Sequence, residues 1–206
     1  MPRGGWWGVA ALAAAAAASA LWGAAALYSL YTPLAAASAP GFQAVVALTW
    51  YRVEVLGHRL SLPALDRAAI VLFPTAAAAV YTLAAGVYAS LTLSASLARR
   101  RSPGFLQLLV PLYTAAAVAL ASTGPLLAAR ALAYSQLHAL IDGWRGYTNA
   151  GSIELYRPQI ARGTADALLA GDPIPPLLLL AALCAAAAGA AHLAAQEAEQ
   201  SGGPAS

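Results

Sequence analysis

Lysine is absent from this chain, and cysteine, methionine and asparagine occur once each, as Cys184, Met1 and Asn149. One cysteine excludes an internal disulfide, and with it any zinc or iron–sulfur site built from the cysteines of one chain. Charge is scarce too: 9% of the 206 residues are charged, where ordinary soluble domains carry roughly a quarter. The formal net charge of +3 is too small to point to a nucleic-acid partner. No glycine-rich phosphate loop is present, and no Ser, His and acid are spaced as a nucleophile set. Asn149 precedes Ala150 and Gly151, so it is not a glycosylation acceptor.

What the chain has instead is apolar length. Hydrophobic residues make up 61% and the mean hydropathy is +0.67, which places the chain among integral membrane proteins. Four runs, about 6–31, 68–98, 105–129 and 174–195, contain no Asp, Glu, Arg or Lys. Each is long enough for the roughly 30 Å hydrocarbon core, which takes about 20 residues. In lipid the backbone must satisfy its own polar groups, so these runs are expected to be helices. Ala18-Ser19-Ala20 resembles a signal cleavage site, but the run continues to Tyr31, longer than a signal needs, so an uncleaved helix is expected. Pro74, Pro111 and Pro125 are candidate kinks.

Arginine placement sets the expected orientation. The turn between the second and third runs carries Arg99, Arg100 and Arg101 and no acid, with Arg3 on the same side. That side is expected to be cytoplasmic, with both termini on it. Seven arginines on the other side are spread over longer segments and nearly balanced by six acids. Trp6 and Trp7 then mark the inner interface, and Tyr28 and Tyr31 the outer one.

The outer segments, 32–67 and 130–173, hold the residues able to recognise anything specifically. In "TWYRVEVLGHRLSLP", Tyr51, Val53 and Val55 alternate with Arg52 and Glu54 before a Leu-Gly-His corner, the pattern of a β-hairpin. Residues 43–51 read as a further strand leading into it. Beyond Arg130, Leu132, Leu137, Leu140, Ile141 and Trp144 recur at helical spacing, so the third helix is expected to run over 105–144 and project about 15–20 Å beyond the membrane. "GSIELYRP" reads as a lone strand, which cannot satisfy its own backbone and is expected to pair with the hairpin. Residues 159–172 read as a short helix. The fold expected is a single all-α membrane domain over 1–206, a four-helix bundle with a small extracytoplasmic β-sheet cap of three to four strands from both outer segments.

This layout resembles the claudin-like tetraspans. Four helices, internal termini, a β-rich first outer segment, a long third helix and one strand from the second segment are similar, and "ALTWY", with Leu48 and Trp50, echoes the family's first-loop tryptophan motif. The family's paired first-loop cysteines and its Gly-Leu-Trp have no counterpart. The resemblance implies adhesion, scaffolding or an accessory role rather than catalysis, and assigns no residue a role.

Chemistry has few candidates. The hydroxyls of the second helix, among them Thr75, Tyr81, Thr82, Tyr88, Ser90 and Ser96, could line a polar path, but such groups more often bond their own helix backbone or a neighbouring helix. His138 and His192 fall near opposite ends, so they cannot share a haem iron; His58 and His138 could meet with Asp142 or Glu54 at a metal, but solvated or capping histidines are the simpler reading. Cys184 reads as an inert small apolar residue. No catalytic, metal or cofactor site is expected. The alanine runs 13–18, 76–79 and 185–188, with Gly86 and Gly189, let backbones approach closely, which favours protein-facing helix surfaces. The expected function is a non-catalytic multi-pass protein of the cell membrane, a scaffold, adhesion or accessory subunit surrounded by lipid and assembled as a homo-oligomer or within a larger complex. The competing class is a small transport or redox subunit holding a quinone or haem. Trp50, Tyr51, Trp144, Tyr147 and Tyr156 are the candidate cap core or contact surface; Trp6, Trp7, Arg99, Arg100 and Arg101 are the topology anchors.

Overall fold

The computed structural model describes residues 4–39, 41–99, 105–147, 154–156 and 174–201. In chain order the elements are α1 (Gly4–Tyr31), β1 (Ala35–Ala39), β2 (Phe42–Val46), β3 (Tyr51–Val55), β4 (His58–Arg59), α2 (Pro63–Val71), α3 (Phe73–Ala98), α4 (Phe105–Tyr147), β5 (Glu154–Tyr156) and α5 (Ile174–Ser201). Four helices are long and apolar enough to cross a membrane, over Trp6–Tyr31, Phe73–Ala98, Gln107–Leu140 and Pro176–Glu197. All four expected runs are therefore helical. The second is divided: its first residues belong to α2, and after a break at Leu72 the long helix α3 begins at Phe73, later than the expected start at residue 68. Proline is tolerated in the first turn of a helix, which lets Pro63 open α2. At Pro74 the missing N–H interrupts the ladder beside that break. The third helix is also longer than expected: 43 residues at about 1.5 Å each make about 65 Å, some twice the hydrocarbon core.

The chain packs as two compact units: Met1–Ala24 with Ala78–Leu120 and Leu177–Ser206, and Ala25–Ala77 with Ala121–Pro176. In the first, α1 and α3 meet at two glycines. A Cβ on Gly86 would lie 2.6 Å from both the Ala16 carbonyl oxygen and the Ala20 nitrogen; one on Gly23 would lie 2.6 Å from the Leu83 nitrogen. Hydrogen is the largest substituent that fits there. Below this contact Leu12, Ala16, Ala89, Leu93, Leu108 and Leu112 form a buried cluster from α1, α3 and α4. The small-residue contact expected at Gly86 is present, whereas Gly189 faces open space.

In the second unit the strands form one antiparallel sheet in the order β4-β3-β2-β1-β5. Its centre is β1–β3, with two short strands at the edges. Along β2 the buried Phe42, Ala44 and Val46 alternate with the exposed Gln43, the period-two pattern of a sheet with one face on the core. The hairpin read from the sequence is β3–β4, turning at Leu56 and Gly57. Both turn residues have positive φ, 51° and 81°, as a type I′ connection requires. Leucine is poorly suited to that region, and Leu56 is exposed, so it gains nothing from burial. Leu56→Asn is expected to stabilise the protein by about 0.5–1 kcal/mol, read as a raised thermal midpoint; no rise would contradict the turn assignment.

Two features differ from expectation. The strand from the second hydrophilic segment joins the same sheet, but through β1 (Ala37 opposite Leu155) and not through the hairpin. The hairpin lies at the far edge, while β1 offers its free side once β2 has taken the other. And β1 itself, four alanines and a serine, carries no strand pattern; it is extended because neighbours on both sides hold it so. The short helix expected within 159–172 lies outside the described residues, as do Arg100 and Arg101.

Candidate functional site

The densest polar chemistry among the described residues lies where the hairpin meets α2. β4 ends at Arg59, and after three residues the chain enters α2 at Pro63. Tyr51 spans the resulting gap: its hydroxyl donates to the Asp66 carboxylate at 3.0 Å and accepts from the Leu62 backbone N–H at 2.8 Å. Ser61 donates to the other Asp66 oxygen at 3.3 Å. Leu62 is the N-cap of α2 and makes no side-chain cap bond; Tyr51 supplies from the sheet the acceptor for the N-cap's own N–H, the part that a Glu or Gln plays in a capping box. Tyr51→Phe removes both bonds and is expected to cost about 1–3 kcal/mol, and to fray α2, measured as faster amide exchange at residues 62–66. Unchanged exchange would show that Tyr51 does not cap α2.

Two bonds tie the chain after β2 to the end of α1. The Thr49 hydroxyl donates to the Leu30 carbonyl at 2.8 Å, and the Trp50 indole N–H donates to the Tyr31 carbonyl at 3.1 Å. Helix C-termini leave four carbonyls unsatisfied, and these side chains take two of them. On the hairpin, Arg52 and Arg59 flank Glu54 at 3.7 and 3.4 Å. These pairs are exposed, and solvent screening leaves them little energetic weight. An open groove of about 490 Å³ lies between β3 and α2, lined by Trp50, Tyr51, Arg59, Leu65, Asp66 and Ala69 among others.

Arg130 was expected on the polar side of the third helix where it leaves the membrane, yet it is buried. Its guanidinium donates to the Ser29 hydroxyl at 2.8 Å and lies 6.0 Å from the Tyr134 ring centre. Ser29 is fully buried in the last turns of α1. The only sequence signals were one serine near the end of an apolar run and one arginine at the edge of another, 101 residues apart.

The hydroxyls of α3 behave as the simpler reading expects. Thr82, Ser90 and Ser96 donate to carbonyls three or four residues back, and the Tyr81 hydroxyl meets Thr114 of α4. Among the described residues no three His, Cys, Asp or Glu side chains come together as a metal-binding group, and no buried side-chain nitrogen or oxygen lacks a partner. His58 and His138 are exposed, and His192 lies beside Gln196 on α5.

Of the residues expected to form the contact surface, Trp50 and Tyr51 come together at the groove. Trp144 and Tyr147 belong to α4 and Tyr156 to β5, opposite Ala36; their side chains lie outside the described ones. Trp6 and Trp7 are exposed at the start of α1, and Arg99 follows α3. Compared with protein-family models, with curated proteins and with solved structures, the chain matches none.

Proposed function

We propose that the chain is a non-catalytic, multi-pass membrane protein that works by interaction, as a scaffold, adhesion or accessory subunit. The observation that carries this reading is the sheet, which joins β1–β4 of the first hydrophilic segment to β5 of the second. A chain that folds its two polar segments into one body has built a recognition surface. Four membrane-length helices, the long α4 and the single strand β5 from the second segment are compatible with a tetraspan topology, which this reading takes as claudin-like. In this reading the sheet is a cap outside the cell membrane, and both termini are cytoplasmic beside Arg99, Arg100 and Arg101.

Helix exposure supports the same reading. Within the candidate spans the buried share falls from 39% in α1 and α3 to 22% in α4 and 6% in α5. Alanine adds little to lipid insertion, so faces this alanine-rich suit a neighbouring protein helix better than lipid. A transport path would need polar groups free to face a substrate, whereas Thr82, Ser90 and Ser96 are bonded to their own helix.

Native mass spectrometry after extraction into lipid nanodiscs tests the proposal. An oligomer or a co-purifying membrane protein at fixed stoichiometry is expected. A strict monomer would contradict it.

A further inference from the structure

The exposed stripe running from α2 into α3 changes character within one turn. Asp66 and Arg67 open it; Ile70, Val71 and Phe73 follow, 74%, 66% and 76% exposed. The Asp66 carboxylate is engaged by Tyr51 and Ser61. Arg67, by contrast, has no ion pair or hydrogen bond among the described residues. An unpaired cation followed, about 5 Å further along the helix, by three bare apolar side chains is costly in water on the apolar side and wasted in hydrocarbon on the charged side. It fits one environment, the boundary where headgroup phosphates give way to acyl chains.

Aromatic residues in the same unit agree. Tyr28 and Tyr31 are exposed in the last turn of α1, and the exposed Trp50 is fixed beside them by its bond to the Tyr31 carbonyl. Trp50 also shares the groove with Leu65, Asp66 and Ala69 of α2. Amphipathic rings with a polar tip concentrate at bilayer interfaces.

We propose that α2 and the first turn of α3 form a lipid-docking collar, in which Arg67 holds a phospholipid headgroup phosphate while Ile70, Val71 and Phe73 enter the acyl boundary. Trp50 and Tyr31 lie at headgroup level beside it. The collar rests on the membrane-spanning reading given above. It places the hydrocarbon boundary inside α2, about one turn before α3 begins, so the sheet lies against the membrane surface.

Single nitroxide labels in a Cys184→Ala background test this in phosphatidylglycerol/phosphatidylcholine vesicles, by collision with oxygen (lipid-soluble) and a nickel chelate (water-soluble). Leu91→Cys, on the exposed face of α3, is the lipid reference; Leu56→Cys, at the exposed hairpin turn, is the water reference. Labels at Ile70→Cys and Phe73→Cys are expected to meet oxygen as Leu91→Cys does and nickel several-fold less than Leu56→Cys. Adding Arg67→Gln is expected to move the label at residue 70 outward, with a several-fold gain in nickel collisions. Nickel access at 70 and 73 equal to that at 56 would overturn the collar, as would shielding from both probes, which would mean that a protein covers this face. An unmoved label in Arg67→Gln would remove the phosphate contact. If Leu91→Cys itself behaves as water-exposed, the spanning reading fails first.

Discussion

Gly86→Val is expected to force α1 and α3 apart and to lower stability by about 3 kcal/mol or more, the upper range for overpacked interiors. The new Cβ would meet backbone atoms, Ala16 O and Ala20 N at 2.6 Å, and the Ala20 Cβ at 2.9 Å. A flexible side chain could swing away from such an intrusion; a helix backbone moves only as a whole. Gly23 makes the reciprocal notch against Ala79 and Leu83, so the same substitution there should act in the same direction. Where apolar side chains meet equally apolar lipid, helices associate largely through close backbone approach, and this crossing would lose it. Gly124→Val and Gly189→Val are the controls, since nothing lies within 4 Å of a Cβ at either. Thermal unfolding in mild detergent should show a large drop for Gly86→Val and little change for the controls. Equal behaviour at all four positions would mean that α1 and α3 do not cross where described.

Arg130→Ala is expected to cost about 2–3 kcal/mol, the range for a hydrogen bond to a charged group together with the packing of its long stem. The substitution leaves the Ser29 hydroxyl, 1% exposed, without the guanidinium that bonds it. Ser29→Ala removes the other half of the contact and should cost less, because Arg130 keeps Tyr134 beside it. In the double mutant the two losses should not add, and a coupling of about 1 kcal/mol is expected for groups in direct contact. Strict additivity by chemical unfolding would show that the two residues do not meet.

The fold was legible where one physical signal ran long enough to be unmistakable. Four runs of more than 20 residues without charge could be little else than helices, and the alternation of Tyr51, Val53 and Val55 with Arg52 and Glu54, closed by Gly57, marked the hairpin. What escaped was fixed by distant neighbours. β1 has the composition of a helix, and only its position between β2 and β5 makes it a strand. β5 was recognisable as a strand needing a partner, but which edge it takes depends on the order of the whole sheet. The helix α2 was hidden because Asp66 and Arg67 look like loop residues until Tyr51 is seen capping the turn that carries them. For the site, Trp50 and Tyr51 stood out as aromatics among polar neighbours. Arg130 did not, since no local pattern tells a buried arginine from a solvated one.

Everything proposed about recognition requires the two hydrophilic segments to meet in one sheet, and a designed disulfide tests that most directly. Ala37 and Leu155 are opposite one another in the β1–β5 pairing, as Ala37 and Ala44 are in β1–β2. Opposed antiparallel residues have Cα atoms about 4.5–5.5 Å apart, within reach of a disulfide. In a Cys184→Ala background under mild oxidation, Ala37→Cys/Leu155→Cys is expected to close an intramolecular bridge as readily as the Ala37→Cys/Ala44→Cys control. A control that bridges beside a 37/155 pair that never does would show that the second segment lies elsewhere, and the shared recognition surface would not exist.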